Sequence, residues 1–163
     1  PQLMPAQTIQ ELEAQFDEAI AKLPGLVLKV TEQSALGALA LVDRRITEKG
    51  QAANGAPFED YTPSYKKRKQ KAGRYTGKVN FSYTGQMLAS TTTGFENIGP
   101  TERGVSEGRA RVVFDGRDVT TKKKLEGNNK TRPGFLNPSA EEVKMVNKSA
   151  NETMGRELAA IFQ

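Results

Sequence analysis

Apolar residues return every three or four positions over the first fifty residues, alternate with polar ones from Val79 to Tyr83, and resume helical spacing near the C-terminal end. Thr8-Ile9-Gln10-Glu11 has the form of a capping box, in which hydroxyl and carboxylate each answer the other's backbone amide. Ile9, Leu12, Phe16, Ala19, Ile20 and Leu23 follow on one stripe, so an amphipathic helix is predicted from Thr8. Pro24-Gly25 is expected to end it, because proline lacks the amide and disfavours a helical residue before it. A second, longer helix is predicted from Leu26 to Lys49, with Gly50 as its cap; Val27, Leu28 and Val30 are also compatible with a short strand before a helix from Thr31.

Gln51 to Tyr61 reads as a loop, and Thr62-Pro63 opens a short helix that closes at Gly73. Val79, Phe81 and Tyr83 alternate with Asn80 and Ser82 as in a half-buried strand, broken by Thr84-Gly85. Between Thr91 and Gly116, Phe95, Ile98, Val105, Val112, Val113 and Phe114 lie among turn glycines, which predicts two or three antiparallel strands. Asp118 to Glu126 predicts a short helix closed by Gly127, and Asn128 to Pro138 a polar loop. Ser139-Ala140-Glu141-Glu142 is a second capping box, opening a helix that carries Val143, Val146, Ala150, Met154, Leu158, Ile161 and Phe162. Helices, then strands, then a helix imply an α+β fold: an antiparallel β-sheet packed against two N-terminal helices and a long C-terminal helix, with extended loops.

The 163 residues suit one domain spanning 1–163. Only 36% are hydrophobic and 7% aromatic, with no Trp, which points to burial shared with neighbouring subunits. The chain has no Cys and no His, which removes thiolate nucleophiles, zinc-thiolate sites and the usual general base. No enzyme activity, cofactor or metal site is expected. No run approaches about 18 apolar residues, and no secretory start is evident. The chain therefore reads as a soluble intracellular product with no membrane partner, its Pro1 left by removal of an initiator Met. Net charge is +5 and the pI about 9.5, which permits nucleic acid or an acidic protein as partner.

Charge is unevenly placed. Lys66, Lys67, Arg68, Lys69, Lys71, Arg74 and Lys78 follow one another with no acidic residue between them. The cluster suits phosphates, with Tyr65, Tyr75, Phe81 and Tyr83 near enough in sequence to stack on bases. It equally suits a solvated face or an acidic partner subunit, the commoner use of a charge run. Glu11, Glu13, Asp17 and Glu18 form an acidic helix face without metal-loop spacing, and a copy-to-copy match with the basic cluster is expected. Gly94, Gly99, Gly104, Gly108 and Gly116 read as turn residues rather than a phosphate loop. The Asn-Lys-Thr, Asn-Lys-Ser and Asn-Glu-Thr triplets from Asn129, Asn147 and Asn151 read as chance matches. Arg132 sits in a loop that either plugs the core through Phe135 and Leu136 or projects to a neighbour, readings that are compatible.

Several short signatures stand in order: Arg45-Ile46, Gly55-Ala56-Pro57-Phe58, Thr62-Pro63-Ser64-Tyr65-Lys66-Lys67, Thr84-Gly85-Gln86-Met87-Leu88 and Arg132-Pro133-Gly134-Phe135-Leu136. In this order and spacing the chain resembles the tail-completion or virion-morphogenesis (neck, head-tail joining) proteins of tailed bacteriophages. It departs from them with Phe58 where Trp is common, and with Gly134 inside an Arg-Pro-Phe-Leu stretch. The resemblance implies a structural virion protein that forms a homo-oligomeric ring, sixfold, at the head-proximal end of the tail, where it completes the tail and joins it to the head. Implied partners are further copies of itself, connector or stopper, tail-tube and tail-terminator proteins, with passing contact to packaged DNA. Its implied place is the virion tail or neck, and the host cytoplasm during assembly. The alternative function is a basic nucleic-acid-binding module. Within the signatures, Phe58, Tyr65, Leu88, Phe135 and Leu136 are expected to anchor the fold.

Overall fold

The computed structural model describes residues 8–75, 77–81, 88, 91–100, 106–114 and 118–162, with the backbone alone for 91–100 and 106–114. In chain order the elements are α1 (Ile9–Arg44), a π-helical turn (Arg45–Lys49), α2 (Pro63–Lys71), β1 (Thr91–Pro100), β2 (Ser106–Phe114), α3 (Val119–Thr131) and α4 (Ala140–Ala159).

The α+β expectation is overturned, because outside the backbone-only segments 91–100 and 106–114 the described residues are mostly helical (70%), and among them no antiparallel sheet supports the helices. Among the described residues β1 and β2 pair only with each other. The predicted strand at Val79–Phe81 is not one either. The amides of Asn80 and Phe81 both donate to the Tyr61 hydroxyl, each at 3.1 Å, instead of to a neighbouring strand. Phe81 adopts a left-handed φ of 51°, which a strand does not accommodate. Tyr83 and Thr84-Gly85-Gln86-Met87 lie outside the described residues.

The predicted break at Pro24-Gly25 is also corrected. α1 continues through Pro24 for 36 residues, giving up one backbone bond, while buried Ala19 before the proline and buried Leu26 and Val30 after it share one stripe. Packing of that stripe outweighs the proline, whose interior cost is about 3 kcal/mol. α3 runs on to Thr131, past the expected stop at Gly127, and leaves a loop of only Arg132 to Ser139 before α4. Both capping boxes form: Thr8 with Glu11 and Ser139 with Glu142.

The chain divides into two compact units, one of Pro1–Ser34, Phe95–Ala110 and Asn147–Gln163, the other of Ala35–Gly94 and Arg111–Val146. In the first, Phe16 meets Phe162 edge-on at 5.4 Å and Lys29 pairs with Glu157 at 2.7 Å, so α1 and α4 run in opposite senses there. In the second, Val42, Ile46, Leu125 and Phe135 form the buried core, with Phe58, Phe81, Leu88 and Leu136 packed on it. Phe81 lies 4.7 Å from Phe58 and 5.0 Å from Phe135 between ring centres.

The helical run Ile9–Lys49 contains an 18-residue window of mean hydropathy 1.3, 22% of it buried, which meets the length and composition of a membrane span although no such run was expected. Exposed Lys29 and Glu32 fall inside it. A helix packed within a protein passes the same measure, and here Leu26, Val30, Ala35 and Val42 are buried against protein.

Candidate functional site

The second unit is organised around Arg45. The π-helical turn brings Arg45 and Ile46 inward and ends at Gly50, whose left-handed φ of 67° places its amide on the Arg45 carbonyl. A Cβ at Gly50 would lie 2.8 Å from the Val79 carbonyl oxygen, so only glycine fits this approach. The Arg45 guanidinium donates from Nε to Glu142 (2.9 Å), from one terminal nitrogen to the Gln51 carbonyl (2.8 Å), and from the other to the carbonyls of Asn137 (2.8 Å) and Phe135 (3.5 Å). One buried fork thus ties the loop after α1 to the loop before α4. Burial raises the Glu142 pKa, but the Ser139 amide, Arg45 and the Ser139 hydroxyl together outweigh it and hold the carboxyl below its usual range.

A cleft of about 520 Å³ opens beside this fork, with Arg44, Lys49, Gln51, Asn54, Ser139 and Glu141 in its wall. Both charge signs line it, and Arg44 is engaged by Glu48 at 2.8 Å. Among the described residues no group of three or more acidic, His or Cys side chains is placed to hold a metal ion.

The basic cluster divides into structurally different parts. α2 begins at Pro63, whose fixed φ suits a first helical position, although the Thr62 hydroxyl makes no capping bond. Lys69 is not on the expected surface: it is 0% exposed, donating to Asn80 Oδ1 (2.8 Å) and the Tyr61 hydroxyl (3.3 Å) with its ammonium 4.7 Å from the Tyr61 ring centre. Burial pushes its pKa down. Lys66 pairs with Asp60 at 2.6 Å and lies over Tyr75, and Arg68 lies over the half-buried Tyr65. Lys67 and Lys71 stand exposed on the opposite face from Lys69, with Arg74 and Lys78 exposed beyond the helix. Tyr61, Tyr65 and Tyr75 therefore each carry a cation of the same chain on the ring, which competes with base stacking.

Arg132 is half-buried, with its guanidinium over Phe81, one terminal nitrogen donating to the Glu59 carbonyl (3.1 Å) and the other to the Thr131 hydroxyl. It fastens its loop to the second unit. On α1, Glu11 closes the capping box, Glu18 pairs with Lys22, and Glu13 and Asp17 are exposed. Beside them the helix leaves Ile9 (78%), Phe16 (52%), Ile20 (67%) and Leu12 exposed. Of the expected anchors, Phe135 is 1% exposed, and Phe58, Leu88 and Leu136 pack partly buried on the core.

Three features escaped sequence reasoning. The Lys69–Tyr61–Asn80 cluster left only a faint sign, since Lys69 falls one turn after Tyr65. Exposed Lys122, Lys123, Lys124 and Lys130 make α3 a second basic helix, announced by three consecutive lysines. The segregation of charge between the two units was invisible because each unit is assembled from separated segments. The first holds ten acidic and six basic residues, net −4, and the second nine acidic and eighteen basic, net +9. No family model, curated protein or solved structure matches the chain.

Proposed function

We propose that this chain is a structural protein of a tailed-phage virion, which assembles with copies of itself into a ring at the head-proximal end of the tail and joins the tail to the head. What supports the reading is the convergence of the ordered signatures: Ile46 and Phe135 belong to one core, Phe58, Leu88 and Leu136 pack on it, and Arg45 bonds the Phe135 and Asn137 carbonyls. Signatures separated by up to 90 residues thus form one structural device. A lean core and an exposed apolar stripe on α1 suit a protein completed by neighbours. The test is electron microscopy with mass measurement of the purified protein, alone and with tail tubes. Rings seated at one end of the tube are expected; a monomer that joins neither tube nor connector overturns the reading.

A second reading, contact with DNA, is favoured by the exposed lysines of α3 and the net charge of +9 on the second unit. It predicts duplex binding that weakens steeply between about 50 and 200 mM salt. Absence of binding at the lower concentration would exclude it.

A further inference from the structure

We infer that copies of this chain associate head to tail, the N-terminal half of α1 on one copy docking on the outward face of α2 on the next. The interface specifies how copies of the proposed ring meet and rests on that reading only for ring closure. Pairing is measurable by itself.

Two surfaces carry the argument. At 3.6 residues per turn, Ile9, Phe16 and Ile20 fall within about 20° of one line along α1. Glu13 and Asp17 run along one side of that line. The surface is therefore an apolar rail with two exposed carboxylates one turn apart, at a separation of about 6 Å along the axis. On α2, Lys67 and Lys71 are likewise exposed and one turn apart, so two ammonium groups repeat at the same spacing. Pro63 and Ser64, also exposed, keep that face low enough for close approach. Lysine stems cover apolar surface while their ammonium groups reach outward, so Lys67 and Lys71 can lie across Phe16 and Ile20 with their charges beside Glu13 and Asp17.

Alternative occupants fit less well. Pairing of two α1 rails would set Glu13 and Asp17 of one copy beside those of the other, an unfavourable meeting of like charges. A basic occupant instead answers these carboxylates, and α2 of another copy supplies one with matching repeat. The net charges of −4 and +9 on the two units extend the complementarity beyond these four residues, and joining two different patches produces the heterologous contact from which rings are built.

The test is a charge exchange followed by sedimentation velocity, with circular dichroism of each variant to establish that its helices are retained. Wild type is expected to self-associate, weakening about tenfold as salt rises from roughly 50 to 300 mM. E13K/D17K and K67E/K71E should each weaken association at least about tenfold, and the variant carrying all four changes should regain it. Ile20→Gln, which keeps all four charges, should also weaken it. A four-site variant no tighter than its parents overturns the inference, as does a wild type that stays monomeric across the concentration range. Rings on tail tubes that tolerate every exchange overturn this interface and leave the virion reading standing. Rescue of pairing in a protein that never joins a tube does the reverse.

Discussion

Replacing Arg45 with Met removes a guanidinium that is 6% exposed and bonded to one carboxylate and three carbonyls, while leaving an unbranched chain to fill its space. Glu142, 7% exposed, then retains its bonds to Ser139 but loses its counter-charge. Breaking a buried pair from one side costs about 3–5 kcal/mol, which at this chain length corresponds to roughly 6–20 °C in Tm. Glu142→Leu should cost a similar amount by stranding Arg45. The double variant should lose only about 1–3 kcal/mol, chiefly the cap on the Ser139 amide and the abandoned carbonyls, because no buried charge remains. Urea unfolding followed by far-UV circular dichroism measures all three. Additivity of the two single losses within about 0.5 kcal/mol would refute the coupled clamp, as would Arg45→Met lying within about 1 kcal/mol of wild type. The pH dependence has a defined sign. The folded pKa of Glu142 lies below its ordinary 4.5, so its stabilisation is present above pH 4.5 and is lost as pH falls through the folded value. The gap between wild type and Glu142→Gln should therefore narrow below pH 4.5; a gap that widens there refutes the assignment.

Pro24→Ala should stabilise the protein by up to about 3 kcal/mol, since α1 passes through this residue; loss of stability in thermal unfolding would mean that the proline is needed where it stands. Phe135→Ala should cost about 3–5 kcal/mol in urea unfolding, because the ring is 1% exposed and in contact with Phe81, and a loss under 1 kcal/mol would remove it from the core. Gly50→Ala should cost more than about 1 kcal/mol through its left-handed φ and the Val79 carbonyl at 2.8 Å, and a neutral effect by the same assay would contradict that approach.

Local signals in the sequence were sufficient where the decisive interaction spans only a few residues. Thr8 with Glu11, Ser139 with Glu142, Pro63 at a first helical position and Gly50 as a cap all lie within one turn of what they act on, and each is found where its pattern predicts. The helical spacing from Val143 to Leu158 was equally legible. Signals failed where a distant partner competed with the local preference. Pro24-Gly25 is a strong stop by itself, yet buried Ala19, Leu26 and Val30 carry the helix across it. Val79-Asn80-Phe81 alternates like a strand, but one hydroxyl, from Tyr61 about twenty residues earlier, takes two of its amides. The candidate site divides in the same way. Its residue types and their clustering into acidic and basic helices were determined by sequence, because charge composition is local. That Lys69 turns inward while Lys67 and Lys71 face outward, that Arg45 bonds a loop 90 residues away, and that opposite charges gather in two different units were decided only by tertiary structure, because burial and long-range pairing depend on which segments the fold brings together.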